Sequence, residues 1–217
     1  MLDSDDTVTD VIVRNNLFKS GHYRLDEVHS VRDWIDLDGL FSCERRGFIE
    51  ELISDEQIKI IIESKKTIIG INHYGAILAA LIGYKYGKPF AYVFESQKTV
   101  DTLEREINSI EKDGILFIID VVVFGDSLCK VLDAMYEKGI IDESNGIDVM
   151  IFFERIYKKS GEYRRRYNLS KIYSSKLIHK VYVINDGFDV ELCNKNRHDC
   201  IFRKGNRDDN CDNERNV

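Results

Sequence analysis

The feature that most constrains this chain is the run Ile115-Leu116-Phe117-Ile118-Ile119, closed by Asp120 and continued by Val121-Val122-Val123-Phe124-Gly125-Asp126-Ser127. Five successive apolar residues of strand type suit a strand buried on both faces, the state of a parallel strand between two helix layers. A carboxylate inside such a run costs several kcal/mol to bury unless it is paired or hydrogen-bonded. Asp120 is therefore expected at the strand's carboxyl end, facing a ligand or a backbone donor. Gly125-Asp126-Ser127 then leads into an amphipathic stretch, Ser127 to Lys138, that stops at Gly139. A strand, a tight turn and a helix N-terminus together present free N–H groups to an anion. The plainer reading is that Asp126 or Ser127 only caps the helix, the commoner fate of these residue types.

The flanking segments extend the same alternation. Apolar residues from Phe48 to Ile62 recur at helical spacing over 46–65, and Ser54-Asp55, two good caps, divides them into two helices. Thr67 to Ile71 reads as a strand, Gly75 to Lys85 as a buried helix stopped by Gly87-Lys88-Pro89, and Phe90 to Phe94 as another strand. Val100, Leu103 and Ile107 mark one face of a helix within 96–113, and Ile147 to Phe153 is a further strand. Tyr182 to Ile184 and Phe188 to Leu192 flank Asn185-Asp186-Gly187, a hairpin signal. Towards the N-terminus, Val8, Val11, Ile12 and Leu17 suggest a short helix over 7–18, and 20–42 reads as a lobe of turns and short extended pieces. The order predicts an α/β fold with a mostly parallel sheet flanked by helices. Ligands in such sheets sit beyond the carboxyl ends of the strands, here Gly70 to Gly75, Phe94 to Lys98 and Asp120 to Ser127. The expected division is one domain over 1–193 and a polar, disordered tail over 194–217.

Composition narrows the function classes. The 31 Lys+Arg against 38 Asp+Glu give a net charge of −7, a poor basis for sequence-independent nucleic-acid binding. Hydrophobic residues are 43% of the chain, yet no apolar run approaches the roughly 20 residues of a membrane span. Met1 to Asp10 is acidic and lacks the character of a secretory signal, and the five Cys show no framework spacing. The expectation is a cytoplasmic protein with reduced thiols, in which Cys43 and Cys129 pack as small apolar residues. Cys193, His198, Cys200 and Cys211 match no zinc-finger spacing, so no metal site is assigned.

These segments together resemble the type I phosphoribosyltransferases, and within them the orotate phosphoribosyltransferase-like group, over roughly 18–155. Ile115 to Leu128 looks like the family's strand and loop for phosphoribosyl pyrophosphate (PRPP). Gly70-Ile71-Asn72-His73-Tyr74-Gly75, the helix after it and Gly87 to Val93 are similar to the pyrophosphate loop, its helix and the next strand. Gly21-His22-Tyr23 through His29-Ser30 to Asp36 is similar to the N-terminal hood of the orotate enzymes, here about 18–42. The resemblance implies a type I phosphoribosyltransferase-like, Rossmann-like sheet with an N-terminal hood. It also implies a site in which Asp120 binds ribose hydroxyls or Mg, Gly125, Asp126 and Ser127 hold the 5′-phosphate, and Asn72, His73, Tyr74 and Gly75 hold pyrophosphate. Lys98 would be the catalytic cation, and Mg would enter only with PRPP.

The departures share one direction. The family's two adjacent acids are reduced to Asp120, with Val121 in the second place. Asp126 stands where a Gly would let backbone approach phosphate, and a carboxylate there is repulsive by about 1 kcal/mol or more. Glu95-Ser96-Gln97-Lys98 replaces an Arg-Lys pair, no His follows before His179, and Asp26-Glu27-Val28 replaces Ser-Gly in the hood turn. Leaving pyrophosphate calls for cations and N–H donors, whereas this chain removes cations and adds acids at the phosphate-contact places.

Two functions follow as expectations. One is a phosphoribosyltransferase-family protein, expected as a homodimer in keeping with the family, that binds PRPP or a nucleotide and transfers phosphoribosyl to a pyrimidine-like base. The other is an inactive sensor or assembly subunit in a regulatory or anti-phage defence role. The basic stretch with Arg164, Arg165 and Arg166 would then serve a protein or nucleic-acid partner, although a solvated loop is its plainer reading.

Overall fold

A computed structural model describes residues 17–24, 30–41, 46–94, 114–122, 125–144, 146–159, 162–164, 172, 174–184 and 188–190. The chain divides into two compact units, one of Met1–Ile49, Ile156–Arg164 and Asp189–Val217, the other of Glu50–Arg155 and Arg165–Phe188.

In the first unit, β1 (Phe18–Arg24) and β2 (Ser30–Ile35) pair antiparallel, with a register shift between Ser20 and Tyr23. Phe18 thus begins a strand, where the apolar spacing had predicted the end of a helix; residues 7–16 lie outside the described residues. The short helix α1 (Leu37–Leu40) is capped by Asp36, whose Oδ1 accepts from the Gly39 N–H at 2.9 Å and whose Oδ2 lies 3.8 Å from Lys19 Nζ. Helix α2 (Arg46–Leu52) follows.

The second unit holds the parallel sheet. Its strands are β3 (Thr67–Ile71), β4 (Phe90–Val93), β5 (Ile115–Val122), β6 (Ile147–Lys159) and β8 (Ile178–Val183). They lie in the order β4-β3-β5-β6-β8, every neighbouring pair parallel. All of β3 and the first five residues of β5 are buried, as a sheet covered on both faces requires. Helix α3 (Glu56–Glu63) is capped by Asp55, which accepts from Gln57 N–H at 2.8 Å, and buries Ile58, Ile61 and Ile62. Helix α4 (Asn72–Tyr86) ends at Gly87, whose φ of 63° is the left-handed cap that lets the chain turn back into Pro89 and β4. Helix α5 (Asp126–Glu137) buries Leu128, Val131, Leu132 and Met135, the apolar stripe of an amphipathic helix. That stripe joins Ile69, Phe117, Ile119, Val149 and Ile151 in one core cluster. Cys129 packs half-buried against the same cluster, as its small apolar character suggests; Cys43 lies outside the described residues.

The C-terminal hairpin is a correction. β8 pairs with β6 in parallel, and β9 (Phe188–Val190) also pairs with β6. The Asn185-Asp186-Gly187 signal is local, whereas β6 offers each strand a partner that no local pattern reveals. The far end of β6 pairs antiparallel with β7 (Glu162–Arg164).

At the amino end of the sheet, Lys65 forms a nearly buried ion pair with Asp148, their side chains 11% and 13% exposed. The Tyr182 hydroxyl donates to the same carboxylate at 3.2 Å, and Lys180 lies 4.8 Å from the Tyr182 ring centre. Burial, and then the neighbouring Asp148 charge, raise the Tyr182 hydroxyl above its ordinary pKa.

Candidate functional site

The order β4-β3-β5 creates the feature on which a site can form. From β3 the chain crosses to β4 on one side, and it returns to β5 on the other side of β3. The connections leaving the carboxyl ends of β3 and β5 thus part in opposite directions, which opens a crevice between them.

The β3 side is built from glycines. A Cβ at Gly70 would overlap the Gly75 carbonyl and lie 2.5 Å from Ala76 Cα, and one at Gly75 would lie 2.7 Å from the Ile118 carbonyl oxygen. Only glycine lets the first turn of α4 press this closely onto the backbones of β3 and β5. Between them stands Asn72 with φ 61°, the one non-glycine residue of left-handed backbone among the described residues. Such a conformation costs on the order of 1–3 kcal/mol, and Asn accepts it more readily than most residues. The helix begins at Asn72, so Asn72, His73, Tyr74 and Gly75 form its first turn; the sequence had suggested a loop there and a helix from Gly75. Its cap position, Ile71, offers no side-chain hydrogen bond, and no acid lies in the first turn. The His73 and Tyr74 rings meet edge to face, 5.2 Å between centres.

The β5 side places Asp120, partly exposed, two residues before the strand ends. Gly125, with φ 79°, is the cap residue of α5 and supplies no side-chain acceptor. The capping position thus falls to neither Asp126 nor Ser127, which occupy the first turn itself. The two helix N-termini therefore stand at the carboxyl ends of adjacent parallel strands, each carrying the positive end of its dipole. Neither Gly70–Gly75 nor Asp120–Ser127 contains a Lys or Arg, so these two segments offer an anion backbone N–H groups, helix dipoles and the side-chain donors of Asn72, His73, Tyr74 and Ser127 rather than a permanent cation.

One acid escaped the sequence reading. Glu154 is fully buried on β6 and pairs in register with Val122 near the end of β5. Its signal was present: Met150-Ile151-Phe152-Phe153 followed by an acid repeats the pattern of Ile115 to Asp120 on the neighbouring strand. Lys98, Arg165, Arg166, His29 and the four residues weighed for zinc lie outside the described residues, and of Arg164 only the backbone placement in β7 is described. Among the described residues no three or more His, Cys, Asp or Glu gather as metal ligands, and no helix is long and apolar enough to cross a membrane.

No family model matches the chain, and no curated protein matches it by sequence. Solved structures do match. Orotate phosphoribosyltransferase from Aeropyrum pernix superposes with a TM-score of 0.55 at 15% identity, over 82% of this chain and 93% of that one. The Giardia lamblia APRTase complexed with 9-deazaadenine gives 0.55 at 13% identity, over 82% and 97%. Leishmania donovani UMP synthase gives 0.54 at 16% identity, over 82% of this chain and 35% of that longer one. Identities this low speak to architecture alone. The five-stranded parallel sheet, its switch point and these likenesses together establish that the chain has the α/β fold of the type I phosphoribosyltransferases.

Proposed function

We propose that the protein binds PRPP or a nucleotide in the crevice between β3 and β5. The observation that carries this reading is the pair of helix N-termini, both lacking a side-chain cap, at the carboxyl ends of adjacent strands, with Asp120 near the carboxyl end of β5. Backbone N–H groups of Asn72 to Gly75 would take the pyrophosphate, those of Gly125 to Ser127 the 5′-phosphate, and Asp120 the ribose hydroxyls. A Mg ion fits this donor set only in company with the ligand, since it binds through one or two carboxylates plus substrate phosphates. Asp120 would be the carboxylate in that role, and the charge of Mg would offset the repulsion between Asp126 and phosphate.

Transfer to a pyrimidine-like base would break the bond from ribose C1 to pyrophosphate and form one from C1 to a ring nitrogen, with the nitrogen's proton passing to solvent or a base. The absence of Lys and Arg from both phosphate segments favours slow or no transfer. The second reading, a ligand-binding subunit without catalysis, rests on that same absence. Calorimetric titration with PRPP and Mg separates these from a bare scaffold. Binding that weakens at least about tenfold in Asp120→Asn is expected. No heat at millimolar ligand would end the binding reading, and nucleotide formed with a common base would end the non-catalytic one.

A further inference from the structure

The two helix starts beside the crevice differ in charge. Asp126, exposed in the first turn of α5, brings a negative charge. The first turn of α4 holds no acid, and His73 stands exposed within it. Across Gly70–Gly75 and Asp120–Ser127, His73 is the one side chain that can become a cation. Helix side chains lean toward the N-terminus, so a first-turn imidazole leans to the end where N–H groups without helical partners gather. The Tyr74 ring packs against it, edge to face at 5.2 Å. Among the described residues, few other charges bear on it. Helix α4 packs against β3, β4, β5 and α3. Of these, β3 has no titratable side chain, β4 has only Tyr92 and β5 only Asp120. The charged residues of α3, Glu56, Lys59 and Glu63, act on Tyr86, which lies about 20 Å along α4 from His73.

We infer that anion binding at the first turn of α4 is proton-linked: His73 takes up a proton from solvent as the ligand docks, and the imidazolium supplies the cation that the two segments otherwise lack. The inference rests on the reading of this crevice as a phosphate site and adds its regulation by pH. An imidazole changes charge between about pH 5 and pH 8, and a neighbouring anion favours the charged form. Asp120 and Asp126, both acids, favour an imidazolium rather than oppose it. Ligand is therefore held more tightly at the acid end of that range and released as pH rises. A pyrophosphate group gains more than a single phosphate, because its charge is larger. A Lys or Arg at position 73 would hold the anion at every pH, so a site built on His73 is one that can let go.

Calorimetric titration with PRPP and Mg from about pH 5.5 to about pH 8.5, on the full chain and on His73→Gln and His73→Lys, tests this. Phosphates of PRPP titrate near pH 6 themselves, so the readout is the difference between wild type and His73→Gln. Wild type should bind about tenfold more tightly than His73→Gln at the acid end and match it at the alkaline end. His73→Lys should keep the advantage throughout. Near neutral pH the heat of wild-type binding should follow the ionisation enthalpy of the buffer more steeply than that of His73→Gln, the mark of proton uptake. His73 is exposed, so its replacement should leave the core intact, and an unchanged melting temperature checks that. One pH profile shared by wild type and His73→Gln overturns the inference and leaves the phosphate site standing. No binding by any of the three proteins at any pH, with millimolar PRPP, overturns both.

Discussion

The two ends of one parallel sheet are built on opposite terms. At the amino end, charge is neutralised: Lys65 meets Asp148, and Tyr182 adds a hydrogen bond to the same carboxylate. At the carboxyl end, Asn72 holds a costly left-handed backbone, two helices start without side-chain caps, Asp120 stands near the end of β5, and Glu154 on β6 pairs level with that end. One end ties distant segments together. The other carries backbone strain and helix starts without side-chain caps, the pattern of a surface kept for a ligand.

Three changes would break or sharpen that contrast. The largest effect belongs to the amino end. Asp148→Ala leaves Lys65 nearly buried without its carboxylate and should cost about 3 kcal/mol. Thermal unfolding should register it as a drop of roughly 6–12 °C, and a shift under about 2 °C would show that the pair ties nothing. At the carboxyl end the sign should reverse. Asn72→Gly accepts φ 61° without a Cβ, so stability should hold or rise by up to about 1 kcal/mol while PRPP binding weakens. Lower stability with unchanged binding would make Asn72 a structural residue only.

The smallest effect is alkaline. The folded pKa of Tyr182 is raised, so the fold favours its neutral form. Its contribution is fully present below the unfolded value near 10 and is lost as pH rises through the higher folded value. Denaturant midpoints should therefore fall above about pH 10 more steeply in wild type than in Tyr182→Phe; parallel curves would remove Tyr182 from the account. Tyr86, raised chiefly by burial as well, supplies a background common to both proteins.

Much of this was legible in the residues. The buried strand β3 is legible as a short β-branched run, β5 as an unbroken apolar run, and α5 as an amphipathic stretch whose observed limits, Asp126–Glu137, differ by one residue at each end. Asp120 stood out because a carboxylate in such a run demands a reason. Glu154 carries the same signal, but the apolar run before it predicts a strand that ends at Phe153, whereas β6 runs on to Lys159. The first turn of α4 was hidden for a different reason. Two glycines flanking Asn-His-Tyr look like a loop, and only the neighbouring backbones of Ala76 and Ile118 explain why glycine stands at 70 and 75.

The sequence alone therefore determined the elements and the place of the charge, because hydrophobic period and the cost of burying an acid act over a few residues. Tertiary structure decided what depends on partners far along the chain: that β8 lies parallel to β6, that Lys65 meets a carboxylate 83 residues away, and that two helix N-termini open on one crevice. Strand order fixes all three, and strand order is set by packing between segments that no local pattern connects.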